Sequence, residues 1–143
     1  MTLTPKLRAQ KAAEAMWSDD RASAWLGMTL GHVDEGEAEL SLKVEVHHTN
    51  GHGMCHGGII FSLADSAFAF ACNSRNQSTV AQHNSITFLA PAKVGDTLIA
   101  TAREVSLVGR NGLYDVRVTT DSGTPIAEFR GGSRTVRGTL FPE

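Results

Sequence analysis

The feature that most constrains this chain is a long apolar run between His56 and Arg75 that carries a single formal charge, Asp65. On a helical wheel at about 100° per residue, residues 59–72 are apolar nearly all round. Besides Asp65, the polar residues of this segment are Ser62 and Ser66, on one side of the wheel. A helix of this composition is buried on most sides. The sequence therefore predicts a long central helix that other elements enclose.

The single carboxylate on this helix is the strongest candidate for function. Burying a carboxylate costs free energy unless it is paired or used in chemistry. We expect its apolar surroundings to raise the pKa of Asp65. The alternative is a solvent-exposed Asp65 with no chemical role.

Two glycines, Gly57 and Gly58, open the helix, and no nearby side chain is expected to screen their backbone N–H groups. Free amides at the positive end of a helix dipole bind negative charge, including a developing oxyanion. The alternative is that the two glycines only let the chain turn tightly into the helix.

These two features cannot serve one carbonyl within one chain. Gly57 and Asp65 are eight residues apart, roughly 12 Å along a helix axis, whereas a reacting carbonyl needs both groups about 3 Å away. Two helices packed antiparallel about a two-fold axis would bring Asp65 of each chain near the other chain's Gly57. If both residues act on one substrate, the active unit is at least a dimer with two sites across its interface.

The rest of the chain predicts an antiparallel sheet around that helix. Residues 36–46 alternate apolar and polar, and strand-like segments follow at about 79–90, 96–108, 112–121 and 125–136 between clear turns. With one or two strands before the helix, we predict an α+β fold in which a five- to six-stranded antiparallel sheet wraps the long central helix. Residues 1–143 form a single domain, with an N-terminal helical segment at 1–26 and a return to the core at Trp25, Leu26 and Met28.

The charge balance and composition exclude several classes of protein. A formal charge of −2 and a pI near 6.3 argue against nucleic-acid or membrane-surface partners. The N-terminus lacks a signal-peptide pattern, and no apolar run is long enough to span a bilayer. Cys55 and Cys72 have no disulfide-scaffold spacing, so we expect free thiols in a cytoplasmic protein.

The entry to the helix holds four histidines that invite a metal hypothesis: His47, His48, His52 and His56. Their spacing fits no standard zinc site, and the intervening Asn and Gly residues are typical of a turn. We therefore predict no metal. Cys55 could be proposed as a nucleophile, but no acidic residue would orient a histidine base beside it.

The stretch HHTNGHGMCHGGIIFSLADSAFAFACNS, with Asn50, His56, Gly57, Gly58 and Asp65 at fixed spacing, resembles the signature of hotdog-fold acyl-CoA thioesterases. The resemblance is to the branch that acts in phenylacetic acid degradation. It extends over almost the whole chain and includes SITFLAPAKVGDTL at 85–98. It implies a hotdog fold, in agreement with the count of strands.

The resemblance also implies the site. Such enzymes hydrolyse acyl-CoA thioesters, here aryl-acetyl groups such as hydroxyphenylacetyl. The Gly57 amide would polarise the carbonyl, and Asp65 of the facing protomer would activate water or attack directly. Asn50 and His56 would orient substrate and water. The family is usually a homotetramer, a dimer of dimers, and uses no metal or other cofactor. Some relatives hold the water with a Ser or Thr hydroxyl where Ala81 stands here.

Substrate contacts are predicted at both ends of the ligand. Six arginines lie within residues 103–137, and guanidinium groups bind phosphates bidentately. We expect Arg130, Arg134 and Arg110 to bind the CoA phosphates, the alternative being arginines that only solubilise a strand face. Gly58 would contact substrate at the helix start, and Phe61 would line an aromatic pocket.

Two other functions remain open from the residues alone. A hydratase or dehydratase on the same fold would need a histidine and a carboxylate together, and His56 with Asp65 could supply them. A non-catalytic acyl-CoA binding protein would hold the ester without turnover.

Overall fold

The long apolar run forms the central helix of the protein, and a curved sheet wraps it on one side. The structure is a computed structural model that describes residues 2–143. Its helices are α1 (Pro5–Asp19), α2 (Arg21–Leu26) and α3 (Gly57–Cys72), with a short 3-10 turn at Val46–His48. Its strands are β1 (Met28–Asp34), β2 (Glu37–Lys43), β3 (Thr79–Phe88), β4 (Thr97–Val108), β5 (Asn111–Thr120) and β6 (Pro125–Thr135).

The six strands form one antiparallel sheet in the order β1-β2-β4-β5-β6-β3. Both β1 and β3 are therefore edge strands. Alternate residues of β5 are buried under α3, while those between them face outward. The predicted α+β architecture, a long helix wrapped by a five- to six-stranded antiparallel sheet and preceded by an N-terminal helix, is confirmed, and the sheet has six strands.

Helix α3 is enclosed as its composition predicts. Leu63, Ala64 and Ala67 are fully buried, and the aromatic ring of Phe68 packs against Tyr114 and Phe129 of the sheet. Beneath that ring, β6 carries Gly131, where an added Cβ would lie only 2.8 Å from the Phe68 ring. The absence of a side chain at 131 thus lets the helix approach the sheet closely.

The N-terminal segment forms two helices rather than one. Thr4 caps α1 with Pro5 in its first turn, as predicted. Asp20 then caps α2, which ends at Gly27 in the left-handed conformation. Because residues three apart share a helix face, Ser23 and Leu26 turn toward α3 and Trp25 turns away. The prediction that Trp25 returns to the core is wrong, since it is 82% exposed.

Among residues 2–143, the structure contains no helix with the length and hydropathy needed to cross a membrane.

Candidate active site

Asp65 lines a cleft of about 390 Å³ between α2 and the exposed side of α3. The wall on the α2 side contains Ser23 and Leu26, and Met28 continues it into β1. On the α3 side the lining runs through Phe61, Ser62, Asp65, Ser66 and Ala69. The cleft is therefore partly apolar, with Asp65 on its α3 wall and Asp20 at the start of α2 on the other wall.

Among residues 2–143, Asp65 receives a hydrogen bond from one side chain. Asn84 of β3 donates from Nδ2 to Asp65 Oδ1 at 2.9 Å. Burial raises the pKa of Asp65, and the hydrogen bond from Asn84 opposes that rise. The predicted direction of the shift is confirmed. A carboxylate in this state binds a proton more readily than an exposed one, as a general base requires.

The start of α3 differs from the expectation at one of its two amides. His56 is the N-cap of the helix, and its Nδ1 accepts from the Gly58 N–H at 2.8 Å. The prediction that no side chain screens either amide is therefore wrong for Gly58. The described residues offer no acceptor to the Gly57 N–H, so this amide remains free at the positive end of the helix.

Edge strand β3 contacts α3 at both Gly57 and Asp65. A Cβ added to Gly57 would lie 3.1 Å from Phe88 Cζ, so the Phe88 ring packs beside Gly57 on the Cβ side of its backbone. Asn84, four residues earlier in β3, bonds Asp65. Four strand residues span about 13 Å, close to the roughly 12 Å between residues 57 and 65 of the helix.

The loop before α3 uses its polar side chains to hold its own shape. Asn50 Oδ1 accepts hydrogen bonds from the backbone N–H groups of His52 and Met54. His48 is buried, with Nδ1 accepting from the Glu45 N–H and Nε2 bonded to the Leu26 carbonyl. Both ring nitrogens of His48 are therefore committed to the backbone and are not arranged as metal ligands.

The two cysteines are buried free thiols. Burial raises the pKa of Cys55 to about 11 and that of Cys72 to about 12. Because the thiolate is the nucleophilic form, neither residue is poised to attack a substrate near neutral pH.

The three arginines predicted to bind CoA do not form one patch. Arg130 lies on the outer sheet face and donates from Nε and Nη2 to Asp115, at 2.7 and 2.9 Å. Arg134 donates to Asn111 at 3.3 Å, and the Arg110 carbonyl accepts from the Thr135 backbone at the same end of the sheet. The Arg110 backbone and Arg134 thus lie at the same end of the sheet, whereas Arg130 is paired with Asp115 about 13 Å away along the strand.

Of the aromatic residues on α3, Phe61 alone lines the cleft. It is half-buried and packs edge-on against Phe129. Phe68 and Phe70 lie in the core, at 1% and 2% exposure. Of the three rings, that of Phe61 is therefore the one placed to contact a substrate in the cleft.

Two features of the cleft were not predicted from the sequence. One is Asn84, whose strand placement gives no signal of a contact 19 residues away in the chain. The other is a hydrogen-bonded chain across the cleft floor, in which Ser23 Oγ donates to Asp20 and lies 3.1 Å from Ser66 Oγ. In the sequence, the signal for this chain of hydrogen bonds is the presence of Ser62 and Ser66 on the polar side of the α3 wheel, of which Ser66 takes part.

The fold and site define a class of protein. A sequence profile of the thioesterase superfamily matches residues 52–127, which include the helix start, Asp65 and Asn84. The chain belongs to this superfamily, and the resemblance noted from its sequence is confirmed.

Among its relatives, an Escherichia coli (strain K12) protein named acyl-coenzyme A thioesterase PaaI is 40% identical over 136 residues, covering 95% of this chain and 97% of the relative. The solved structure of the E. coli PaaI protein from the phenylacetic acid degradation operon matches with a TM-score of 0.93, covering 95% of this chain and 99% of that one. A mutant structure of phenylacetic acid degradation protein PaaI from Thermus thermophilus has a TM-score of 0.79 at 35% identity, over 82% and 100% of the two chains.

A Streptococcus mutans protein solved with bound acetyl-CoA is 26% identical, with a TM-score of 0.75 over 79% of this chain and 90% of that one.

Proposed function

We propose that this protein is an acyl-CoA thioesterase that hydrolyses aryl-acetyl-CoA esters to the free acid and CoA in phenylacetate degradation. The observation that carries the proposal is Asp65, a partly buried carboxylate of raised pKa that lines a cleft on α3. The unscreened Gly57 amide supplies the second group that acyl transfer needs. The E. coli and Thermus relatives, whose names refer to phenylacetic acid degradation, support the substrate class.

In the proposed reaction, the thioester carbonyl accepts a hydrogen bond from the Gly57 N–H, which stabilises the oxyanion as it forms. Asp65 either removes a proton from the attacking water or attacks the carbonyl itself to form a mixed anhydride that water then opens. In both routes the C–S bond breaks and CoA leaves as the thiol. Overall, water supplies the hydroxyl that ends on the acyl carbon and the proton that ends on the CoA sulfur, so no atom changes oxidation state and no redox partner is required. We propose that the reaction needs no metal or other cofactor.

The two groups reach one substrate only across a dimer. The free edge of β3 presents unpaired backbone groups to a second copy. If two β3 strands pair antiparallel about a two-fold axis between Asn84 and Phe88, each Asn84 lies beside Phe88 of the partner subunit. Asp65 then lies beside Gly57 of the partner subunit, because within each subunit Asn84 bonds Asp65 and Phe88 packs beside Gly57. We propose this dimer as the active unit and a dimer of dimers as the full assembly.

The cleft supplies the acyl site in this proposal. Phe61, Leu26 and Met28 give apolar contact for an aromatic ring. Arg110 and Arg134, at one end of the sheet, are better placed to share the CoA phosphates than Arg130, whose guanidinium already bonds Asp115. Asn50 and His56 act here through the shape of the entry loop and the helix cap, which hold Gly57 and Gly58 in place.

We propose further that residues 1–143 act as one domain and that the protein works in the cytoplasm, where CoA esters are formed. A CoA ester as substrate supports that location.

The test is thiol release from a panel of CoA esters by wild type and Asp65→Asn. The panel holds phenylacetyl, two hydroxyphenylacetyl isomers, benzoyl, hexanoyl and crotonyl esters. We expect release that is fastest with the aryl-acetyl esters and falls at least about 100-fold in Asp65→Asn, with ester binding retained. Equal rates in the variant would contradict the role of Asp65. Binding without release would indicate an acyl-CoA binding protein, and loss of the crotonyl double bond would indicate a hydratase.

A further inference from the structure

The contact between Asn84 and Asp65 joins an edge strand to the catalytic helix. Asn84 stands opposite Gly131 in the β3–β6 register and lies on the sheet face that α3 covers. Its backbone is held by the ladder of the sheet, whereas Asp65 is held by the helix. The hydrogen bond therefore fixes the carboxylate relative to both elements.

The direction of this hydrogen bond fixes how the amide lies. An ionised carboxylate only accepts, so Asn84 must present Nδ2 to Asp65 and turn its own oxygen away. That oxygen, Asn84 Oδ1, is buried and receives no hydrogen bond from the described residues. A buried acceptor without a donor costs free energy, so stability of the fold alone does not account for an amide at this position.

The hydrogen bond from Asn84 also makes the two oxygens of Asp65 different. Oδ1 is engaged by Asn84 at 2.9 Å, while no donor among the described residues reaches Oδ2. A base that acts on water needs one oxygen free and its plane held steady. An amide donor suits this task because it stabilises the charged form without supplying a proton.

We propose that Asn84 is a positioning residue for Asp65: its amide holds Oδ1 and directs Oδ2 into the cleft toward the substrate. The proposal rests on the proposed function, because it assigns Asn84 a part in the same reaction. Other titratable groups near Asp65 are Asp20 on the opposite cleft wall and Cys72 two turns later in α3. His83, the neighbour of Asn84 in β3, is exposed on the other face of the sheet.

The test compares Asn84→Leu and the nearly isosteric Asn84→Asp with wild type. Asn84→Leu removes the donor, and Asn84→Asp replaces it with a second carboxylate that repels the first. The control is Ser85→Ala, an exposed position one residue further along the same strand. The Asp65 carboxyl is titrated by 13C NMR in the free protein and assigned with Asp65→Asn. The pH profile of kcat/KM for phenylacetyl-CoA is measured in parallel.

We expect the Asp65 titration midpoint to rise by about one pH unit in Asn84→Leu, which corresponds to about tenfold in rate on the acidic limb. The midpoint should rise further in Asn84→Asp and stay at the wild-type value in Ser85→Ala. The acidic limb of kcat/KM should move with the midpoint while KM changes little. Should Asn84→Leu fail to fold, Asn84→Asp decides the question, because it keeps the shape of the side chain.

Wild-type midpoints in the Asn84 variants would overturn the proposal, whatever happens to the rate. This outcome is distinct from failure of the proposed function, which would appear as a wild-type protein that releases no thiol from any ester. The NMR titration needs no turnover. It therefore shows whether Asn84 changes the titration midpoint of Asp65 even if the protein releases no thiol.

Discussion

Among single residues, Asp65 combines a proposed catalytic role with a cost in stability. The helix that carries it is otherwise apolar and enclosed, and burial raises the pKa of its carboxyl. The folded state therefore binds a proton at Asp65 more tightly than the unfolded state does. That preference stabilises the fold at pH values below the unfolded pKa and is lost as pH rises through the folded pKa.

This combination predicts opposite effects of Asp65→Asn on stability and activity. The variant keeps an acceptor for Asn84 but carries no charge, so its Tm at pH 7 should rise while thioester hydrolysis is lost. The difference in Tm between variant and wild type should shrink as pH falls through the raised pKa of Asp65, because below that pKa wild-type Asp65 is protonated too. Thermal unfolding followed by circular dichroism across this range checks it. A variant that is less stable than wild type at pH 7 would contradict the account.

Replacing Gly57 by proline tests the role of its amide, because proline fits the first position of a helix and lacks an N–H. The preceding His56 already has φ −61° and ψ 134°, a conformation compatible with a following proline. Gly57→Pro should fold and lose about 100- to 1,000-fold in kcat, the usual cost of removing one oxyanion donor.

The matched control is Gly57→Ala, which adds the same Cβ beside the Phe88 ring but keeps the amide. It should retain most of the activity that Gly57→Pro loses. Equal losses in the two variants would assign the effect to crowding by Phe88 rather than to the missing donor.

At the scale of elements, the long helix and the strands were predictable because their signals are local. The apolar run predicts α3, and alternation between Gly- and Pro-containing turns predicts β3 to β6 within a residue or two of their observed ends. What was missed depends on contacts between elements. The outward turn of Trp25 follows from how the short helix α2 docks on α3, and the bond from Asn84 to Asp65 follows from the register of an edge strand.

The side chain of His56, in the loop before α3, caps the start of that helix. His56 Nδ1 satisfies the Gly58 N–H, so His56→Ala should lower the free energy of unfolding by about 1 kcal/mol. His52→Ala, an exposed histidine in the same loop, is the control and should change little. Urea denaturation of both variants measures the difference. Equal stabilities would mean that the cap does not hold the helix start.

At the scale of the whole molecule, the site explains why the chain should not act alone. The free amide of Gly57 and the carboxylate of Asp65 lie two turns apart on one rigid helix, and β3, which touches both, is an open edge of the sheet. In the proposed dimer, pairing of two such edges closes both of them and completes two sites at once. The sequence predicted this arrangement from spacing alone, but only the structure identifies β3 as the edge on which the proposed dimer depends.

Complementation between two inactive subunits, Gly57→Pro and Asp65→Asn, shows whether each site is shared between two chains. In mixed dimers one site pairs an intact Gly57 with an intact Asp65, while the other site lacks both. Random exchange in an equal mixture makes half of the dimers mixed, so thiol release from phenylacetyl-CoA should return to about a quarter of the wild-type rate. No recovery, with mixed dimers confirmed by native mass spectrometry, would show that each chain builds its site alone and would contradict the account.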